Sequence, residues 1–257
     1  MSFLRIDFPS KLFQMNEHVD VLLPDHFRES DPIENNQQKF RTLYLLHGYY
    51  GNGTDWMRYS SIERYAMEHH IAVVMPSAYN SYYANAVHGL PYFDFIATEI
   101  PEYLQSMLPL AKDKKYNYVA GLSMGGYGAL KIALTYPDRY SFAASLSGPL
   151  DFNFIYHRGI TDPTRTKQFE AIFGNLQDSK NCEHNLCYLV NQIKGNMPKM
   201  YVICGKDDFL FDSNQIFINH IKNKNIDVKY DICLGNHTWD FWDEHIKDVL
   251  SEIDKLK

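Results

Sequence analysis

Short apolar segments alternate with amphipathic ones along most of the chain, a pattern typical of strands that alternate with helices. Continuous apolar runs at 41–47, 71–75 and 142–147 predict strands buried on both faces of a sheet. Apolar residues three or four positions apart over 93–107 predict a helix with one buried face. The alternation indicates a mostly parallel central sheet flanked by helices, with right-handed crossovers. The pattern predicts strands over 2–8, 17–23, 41–47, 71–75, 116–120, 142–147, 200–204 and 226–232, and helices over 60–69, 93–107, 124–135, 212–222 and 239–254.

The region from 150 to 196 interrupts this alternation. It contains two short helical patterns, over 167–173 and 183–193, among residues typical of turns. We therefore expect a small helical insertion that lies over the sheet like a cap. The 257 residues fall within the size range of one α/β domain, so residues 1–257 are predicted to form a single domain. Residues 31–39 are polar and are predicted to form a loop, and residues 77–92 are aromatic and irregular.

The motif Gly121-Leu122-Ser123-Met124-Gly125 lies between a predicted strand and a predicted helix. Where a strand turns sharply into a helix, a serine can be held exposed in a strained backbone conformation. Glycines on either side remove the Cβ atoms that would clash in such a turn. The motif therefore predicts Ser123 as a catalytic nucleophile.

A serine hydroxyl is a weak nucleophile, so it needs a histidine to accept its proton and a carboxylate to orient that histidine. His237 follows a predicted strand at the same edge of the sheet, and we predict it as the base. His47 also ends a predicted strand, but the glycine and tyrosine after it suit a loop that binds an oxyanion. For the acid we favour Asp208, because an apolar triplet follows it and could bury the carboxylate; Asp207 is the alternative.

Negative charge forms on the former carbonyl oxygen during acyl transfer and requires hydrogen-bond donors. The backbone N–H of Met124, directly after the serine, is one predicted donor. The second is predicted from the loop after the third strand, at Tyr49 or at Gly48. The Asp207-Asp208 pair could suggest a metal site, but no His/Asp spacing supports one, so no metal and no cofactor is predicted.

Composition narrows the classes of partner. A net charge of −6 argues against nucleic acid or an anionic membrane, and no apolar run has the length of a membrane span. The first eight residues lack the apolar segment of a signal peptide. The spacing of the four cysteines does not match that of a zinc site. We expect a cytoplasmic protein with a small-molecule substrate.

Four motifs spread along the chain together carry a resemblance to a known family. They are Leu45-Leu46-His47-Gly48 with Gly51-Asn52, Gly121-Leu122-Ser123-Met124-Gly125-Gly126-Tyr127-Gly128-Ala129, Asp208-Phe209-Leu210, and Gly235-Asn236-His237-Thr238-Trp239 with Phe241-Trp242. With these motifs the chain resembles the esterase D and S-formylglutathione hydrolase-like group of α/β-hydrolases over essentially its whole length. Within that group it is most similar to the small bacterial tributyrin esterases.

The resemblance implies a serine carboxylesterase with a Ser123, Asp208 and His237 triad and with Met124 and Tyr49 as oxyanion donors. It implies short acyl esters as substrates, from acetyl to butyryl, including tributyrin-like and acetylated carbohydrate esters, and assembly into a homo-oligomer. The thioesterase branch has histidine directly before the nucleophile, where this chain has Leu122. The alternatives are a thioesterase, a feruloyl-type esterase and a non-catalytic ligand-binding relative. We expect the insertion and the aromatic loop to wall the cleft. The candidates for substrate contact are Gly48, Tyr82, Tyr83, Phe152, Phe154 and Trp239.

Overall fold

One eight-stranded sheet forms the centre of the protein, as described here from a computed structural model. The structure describes residues 1–25, 39–176, 179–193, 195–222, 224, 226 and 228–256. The loop predicted over 31–39 lies outside the described residues, apart from Lys39. The strands are β1 (Ser2–Ser10), β2 (Met15–Leu23), β3 (Thr42–Leu46), β4 (Ala72–Pro76), β5 (Asn117–Leu122), β6 (Phe142–Leu146), β7 (Lys199–Gly205) and β8 (Val228–Cys233).

The strand order is β1-β2-β4-β3-β5-β6-β7-β8. The pairs of β2 with β1 and with β4 are antiparallel, and all pairs from β4 through β8 are parallel. The predicted sheet of mostly parallel strands is therefore confirmed. The carboxyl ends of β5, β7 and β8 lie at one edge, where the predicted functional loops begin.

Helices cover both faces of the sheet. They are α1 (Asp55–Tyr59), α2 (Ile62–Glu68), α3 (Tyr92–Asp94), α4 (Ile100–Met107), α5 (Met124–Thr135), α6 (Phe152–Thr161), α7 (Thr166–Phe173), α8 (Leu186–Gln192), α9 (Phe211–Lys222) and α10 (Trp239–Asp254), with a π-helical turn at Phe95–Glu99. None of the helices within the described ranges is long and apolar enough to cross a membrane.

Two separate hydrophobic cores pack against the central strands, one on each face, so these strands are apolar on both faces. All residues of β3 are buried; Tyr44 and Leu46 join the core that contains α5, and Leu43 and Leu45 join the core that contains α10. Alternate side chains of a strand point to opposite faces, so a strand covered on both sides reads as one continuous apolar run.

The insertion contains a helix that the sequence pattern did not predict. Helices α7 and α8 correspond to the two predicted patterns, whereas α6 precedes them. Gly159 within α6 weakens the helical signal, because glycine is a poor helix former. Tertiary packing requires that glycine, since a Cβ atom there would overlap the ring of Phe169. The side chain of Asp151 caps the helix by accepting the Asn153 N–H at 3.1 Å.

A buried lysine joins α5 to the insertion. Lys131 is 3% exposed, and its Nζ donates to the Tyr83 carbonyl at 3.2 Å and to His184 Nδ1 at 3.1 Å. Burial lowers the pKa of Lys131 to about 8. Burial, together with the charge of Lys131, lowers the pKa of His184 to about 3. His184 is therefore neutral in the folded protein and accepts a hydrogen bond from the lysine.

This arrangement predicts a loss of stability in acid. An unfolded histidine protonates near pH 6.5, whereas folded His184 stays neutral to about pH 3, so the unfolded chain binds the additional proton as pH falls through this window. In His184→Gln the side-chain oxygen still accepts from Lys131 but does not titrate. Urea unfolding at several pH values should show a pH slope that is shallower by up to about 1.4 kcal/mol per pH unit between pH 6.5 and 3. His88→Gln, at an exposed position, is the control and should keep the wild-type slope. Equal slopes for His184→Gln and wild type would contradict a neutral buried His184.

Candidate active site

Ser123, His237 and Asp208 come together at the carboxyl edge of the sheet. His237 Nε2 lies 2.9 Å from Ser123 Oγ. On the other side of the ring, His237 Nδ1 lies 2.9 Å from Oδ2 and 3.1 Å from Oδ1 of Asp208. The three side chains follow β5, β8 and β7, so they are distant in sequence and adjacent only in the folded protein.

A strained turn holds Ser123 above the sheet. Its backbone has φ 50° and ψ −122°, a conformation that residues with a side chain rarely adopt. A Cβ atom at Gly121 would lie 2.5 Å from the Gly125 carbonyl, and one at Gly125 would lie 2.5 Å from the Leu46 carbonyl oxygen. Only glycine at these two positions lets α5 begin so close to β3 and β5.

Asp208, and not Asp207, faces the histidine. Asp208 is 4% exposed, and its Oδ1 also accepts the Leu210 N–H at 2.9 Å. Burial alone raises the pKa of the Asp208 carboxyl, but the hydrogen bond and charge of His237 and the Leu210 N–H outweigh it, so the pKa lies below its usual value. The carboxylate is therefore ionised at neutral pH. Asp207 is exposed, and its N–H donates to the Gly235 carbonyl at 3.1 Å.

Two aromatic rings hold the imidazole of His237. The ring centroid of Phe209 lies 4.6 Å from that of His237, and the Trp242 ring stands perpendicular to the imidazole at 4.9 Å. Trp242 is buried, whereas Phe209 is 57% exposed at the mouth of the site. The imidazole is thus fixed on its aromatic faces by packing and at Nδ1 by a hydrogen bond.

His47 has a different role from that of His237. It is fully buried, its Nε2 accepts the Ala78 N–H at 2.8 Å, and its Nδ1 lies 2.7 Å from the Gly48 carbonyl oxygen, to which it donates. Burial lowers the pKa of His47 to about 4. With both nitrogens occupied, His47 holds the loop that contains Gly48 and Tyr49 and has no free nitrogen to accept a proton from Ser123.

The two predicted oxyanion donors lie beside the serine. Met124 is the first residue of α5, where helix geometry leaves the backbone N–H without an intrahelical acceptor. Tyr49 follows β3, and both residues line the same cavity as Ser123. The neighbouring Tyr50 N–H is already used, since it donates to Asn80 Oδ1 at 2.7 Å. The part of the Met124 and Tyr49 N–H groups in catalysis stays a prediction.

A cavity of about 430 Å³ opens above Ser123. Of the predicted contact residues, Gly48, Tyr82, Phe154 and Trp239 line it. Tyr83, also predicted as a contact residue, does not line this cavity: it is fully buried, packs on Gly128, and its hydroxyl donates a hydrogen bond to the His47 carbonyl at 2.9 Å.

Phe152 is also absent from the cavity wall. It is fully buried and packs against Phe173 and His184. Five residues of the insertion that were not predicted from the sequence line the cavity instead. These residues are Ile155, Arg158, Gly159, Arg165 and Phe169. Helical spacing indicates which face of α6 is apolar, but it gives no indication of which side chains turn toward a serine in another loop.

The described part of the chain contains no group of three or more His, Cys, Asp and Glu side chains arranged to hold a metal ion. The four cysteines, Cys182, Cys187, Cys204 and Cys233, are all unpaired.

Comparisons with known proteins show the family to which this chain is related. A family described as "Putative esterase" matches residues 10–253. The acetyl esterase of Caldicellulosiruptor saccharolyticus is 34% identical over 268 residues, which covers 100% of this chain and 99% of the relative.

Two solved structures from Staphylococcus aureus are similar to this chain over nearly all of its length. FphF, a fluorophosphonate-binding serine hydrolase with substrate bound, superimposes with a TM-score of 0.89 at 34% identity and 98% coverage of both chains. The S-formylglutathione hydrolase FrmB superimposes with a TM-score of 0.85, also at 34% identity and 98% coverage of both chains.

These findings confirm the predicted fold class and the resemblance to the esterase and S-formylglutathione hydrolase group. The chain belongs to the "Putative esterase" family and has the α/β-hydrolase fold.

Proposed function

We propose that this protein is a serine carboxylesterase that hydrolyses short-chain acyl esters, from acetyl to butyryl, through an acyl-enzyme intermediate. The observation that carries the proposal is the 2.9 Å contact between His237 Nε2 and Ser123 Oγ, with the buried Asp208 carboxylate on Nδ1. A hydroxyl, an imidazole and a carboxylate in this order form the arrangement that activates a serine for acyl transfer.

In the first half of the reaction Ser123 Oγ attacks the ester carbonyl, and His237 Nε2 accepts the serine proton. Asp208 keeps the proton on Nδ1, so that Nε2 is the free acceptor, and it stabilises the imidazolium that forms. The N–H groups of Met124 and Tyr49 stabilise the negative oxygen of the tetrahedral intermediate. The imidazolium then protonates the departing alcohol, which leaves an acyl group on Ser123.

In the second half a water molecule replaces the alcohol. His237 accepts a proton from the water as the oxygen attacks the acyl carbonyl, and the acid is released when the serine regains its proton. The site requires no further group for these steps, because the same imidazole serves as base and then as acid in each half.

The short acyl preference is supported by the cavity and by a relative. Tyr82 and Phe169, both more than nine-tenths buried, close part of the cavity, and their rings are in contact at 5.1 Å. A volume of about 430 Å³ must hold both the acyl and the alcohol part of an ester. The full-length relative named an acetyl esterase supports acetyl esters within the proposed range. Acetylated carbohydrates belong to the proposal through the family resemblance of the sequence.

A thioester substrate is the second candidate, favoured by the similar structure named an S-formylglutathione hydrolase. The same serine chemistry would cleave a thioester. Hydrolysis rates of S-formylglutathione and of phenyl acetate, measured side by side, therefore distinguish a thioesterase from a carboxylesterase.

The unpaired cysteines favour a cytoplasmic location, which we include in the proposal. Assembly into a homo-oligomer is also part of the proposal.

Replacement of the nucleophile provides the first test of this function. Ser123→Ala removes the attacking oxygen, and turnover of 4-nitrophenyl acetate should fall by a factor on the order of 10⁶. A fluorophosphonate probe should label wild type and not the variant, while circular dichroism shows the fold unchanged. Near-normal turnover by Ser123→Ala would remove this serine from the mechanism.

The neighbouring aspartates form a matched pair of variants. Asp208→Asn no longer holds the proton on Nδ1, so turnover of the same ester should fall by about 10⁴. Asp207→Asn changes an exposed side chain one position away and should keep turnover within about twofold of wild type. Similar losses in both variants would contradict Asp208 as the only carboxylate that orients His237.

A series of 4-nitrophenyl esters measures the acyl range. We expect kcat/KM to be highest between acetate and butyrate and to fall by roughly tenfold or more at octanoate, since each added methylene must fit a closed pocket. A maximum well beyond butyrate would overturn the short-chain assignment while leaving the esterase chemistry intact.

A further inference from the structure

Two arginines of the insertion line the cavity above Ser123. Arg158 belongs to α6, and Arg165 directly precedes α7. Tyr82 lines the same cavity. Burial raises the pKa of Tyr82 to about 12, and the charges of Arg165 and Arg158 act against that rise. These two cations line the cavity of a protein whose net charge is −6.

The two arginines differ in how their charge is balanced. Arg165 Nε lies 3.6 Å from Asp162 Oδ2, and its guanidinium lies over the Tyr49 ring at 4.9 Å. Arg158 has no carboxylate within 4 Å among the described residues. Hydrogen bonds from Thr164 lower the pKa of the Asp162 carboxyl, and the charges of Arg165 and Arg158 lower it further. Asp162 therefore acts on both arginines, but among the described residues it forms an ion pair with Arg165 and not with Arg158.

Aromatic packing places Arg158 on the His237 side of the cavity. Its guanidinium carbon lies 5.1 Å from the centroid of the Phe209 ring, and that ring lies 4.6 Å from the imidazole of His237. The Phe154 ring lies 5.9 Å from the same guanidinium carbon. In the proposed mechanism His237 protonates the departing alcohol, so this side of the cavity receives the alcohol part of the ester.

We propose that Arg158 recognises a carboxylate on the alcohol part of the substrate, so that the preferred esters have an anionic leaving group. This inference rests on the esterase function proposed above. A guanidinium presents a planar pair of N–H donors that matches a carboxylate, and contact with the rings holds that plane in place. A single negative charge fits best, because Arg165 already forms an ion pair with Asp162 and because Asp55 lines the same cavity.

A pair of acetyl esters tests this preference. The esters are 4-acetoxybenzoate and its methyl ester, which share the acyl group and the aromatic ring and differ in the charge at the far end of the alcohol. Release of the phenol gives kcat/KM for each. Arg158→Gln should lower the ratio of the benzoate rate to the methyl ester rate by about threefold to fivefold, since a charged contact made by an exposed side chain is lost. Because both esters are measured on one preparation, any loss of folded enzyme cancels in the ratio.

Two further variants serve as controls. Arg64→Gln removes the same charge from an exposed arginine that lies over the Tyr65 ring at 5.0 Å, outside the cavity, and should leave the ratio unchanged. Arg165→Gln should change the ratio less than Arg158→Gln does, because Asp162 already balances Arg165. Added salt should weaken the preference of wild type for the benzoate and have little effect on the ratio of Arg158→Gln.

The outcomes separate this inference from the function on which it rests. Hydrolysis of both esters by wild type, with an equal loss for both in Arg158→Gln, would show that Arg158 only packs in the wall and would overturn the inference alone. If wild type hydrolyses neither ester, the proposed esterase function fails and this inference fails with it.

Discussion

The close approach of α5 to the sheet is the constraint on which the rest of the site depends. The helix can begin against β3 and β5 only because Gly121 and Gly125 have no Cβ atoms to meet the neighbouring backbone. This contact forces Ser123 into a positive φ angle and raises its side chain above the sheet. Burial of every residue of β5 supplies the packing that holds the strained turn.

From that turn a chain of hydrogen bonds extends across three loops. Asp208 is buried and held by the Leu210 N–H, it orients His237, and His237 reaches Ser123. Parallel strands end at one edge, so loops that are far apart in sequence deliver their side chains to the same place. The low exposure of Asp208 strengthens its contact with the imidazole, because water does not screen it.

The insertion lines the cavity and is joined by polar contacts to α5 and to the loop after β3. Lys131 and Tyr127 on α5 contact His184 of the insertion through the imidazole and the carbonyl, respectively. The Tyr49 hydroxyl of the predicted oxyanion loop donates to Gln168 of α7. These contacts join the cavity wall to the helix that follows Ser123 and to the loop after β3, so the insertion and these two elements form one packed unit.

Periodicity and local chemistry determined much of this protein without a structure. Eight strands, the serine turn and the order of serine, acid and histidine follow from apolar runs, from glycine spacing and from the types of residue at strand ends. The tertiary structure decided which of two adjacent aspartates turns inward and that Tyr83 is buried outside the cavity lining. It also decided that Arg158 lines the cavity. Local sequence describes a residue's neighbours along the chain, whereas these outcomes depend on how distant elements pack against one another.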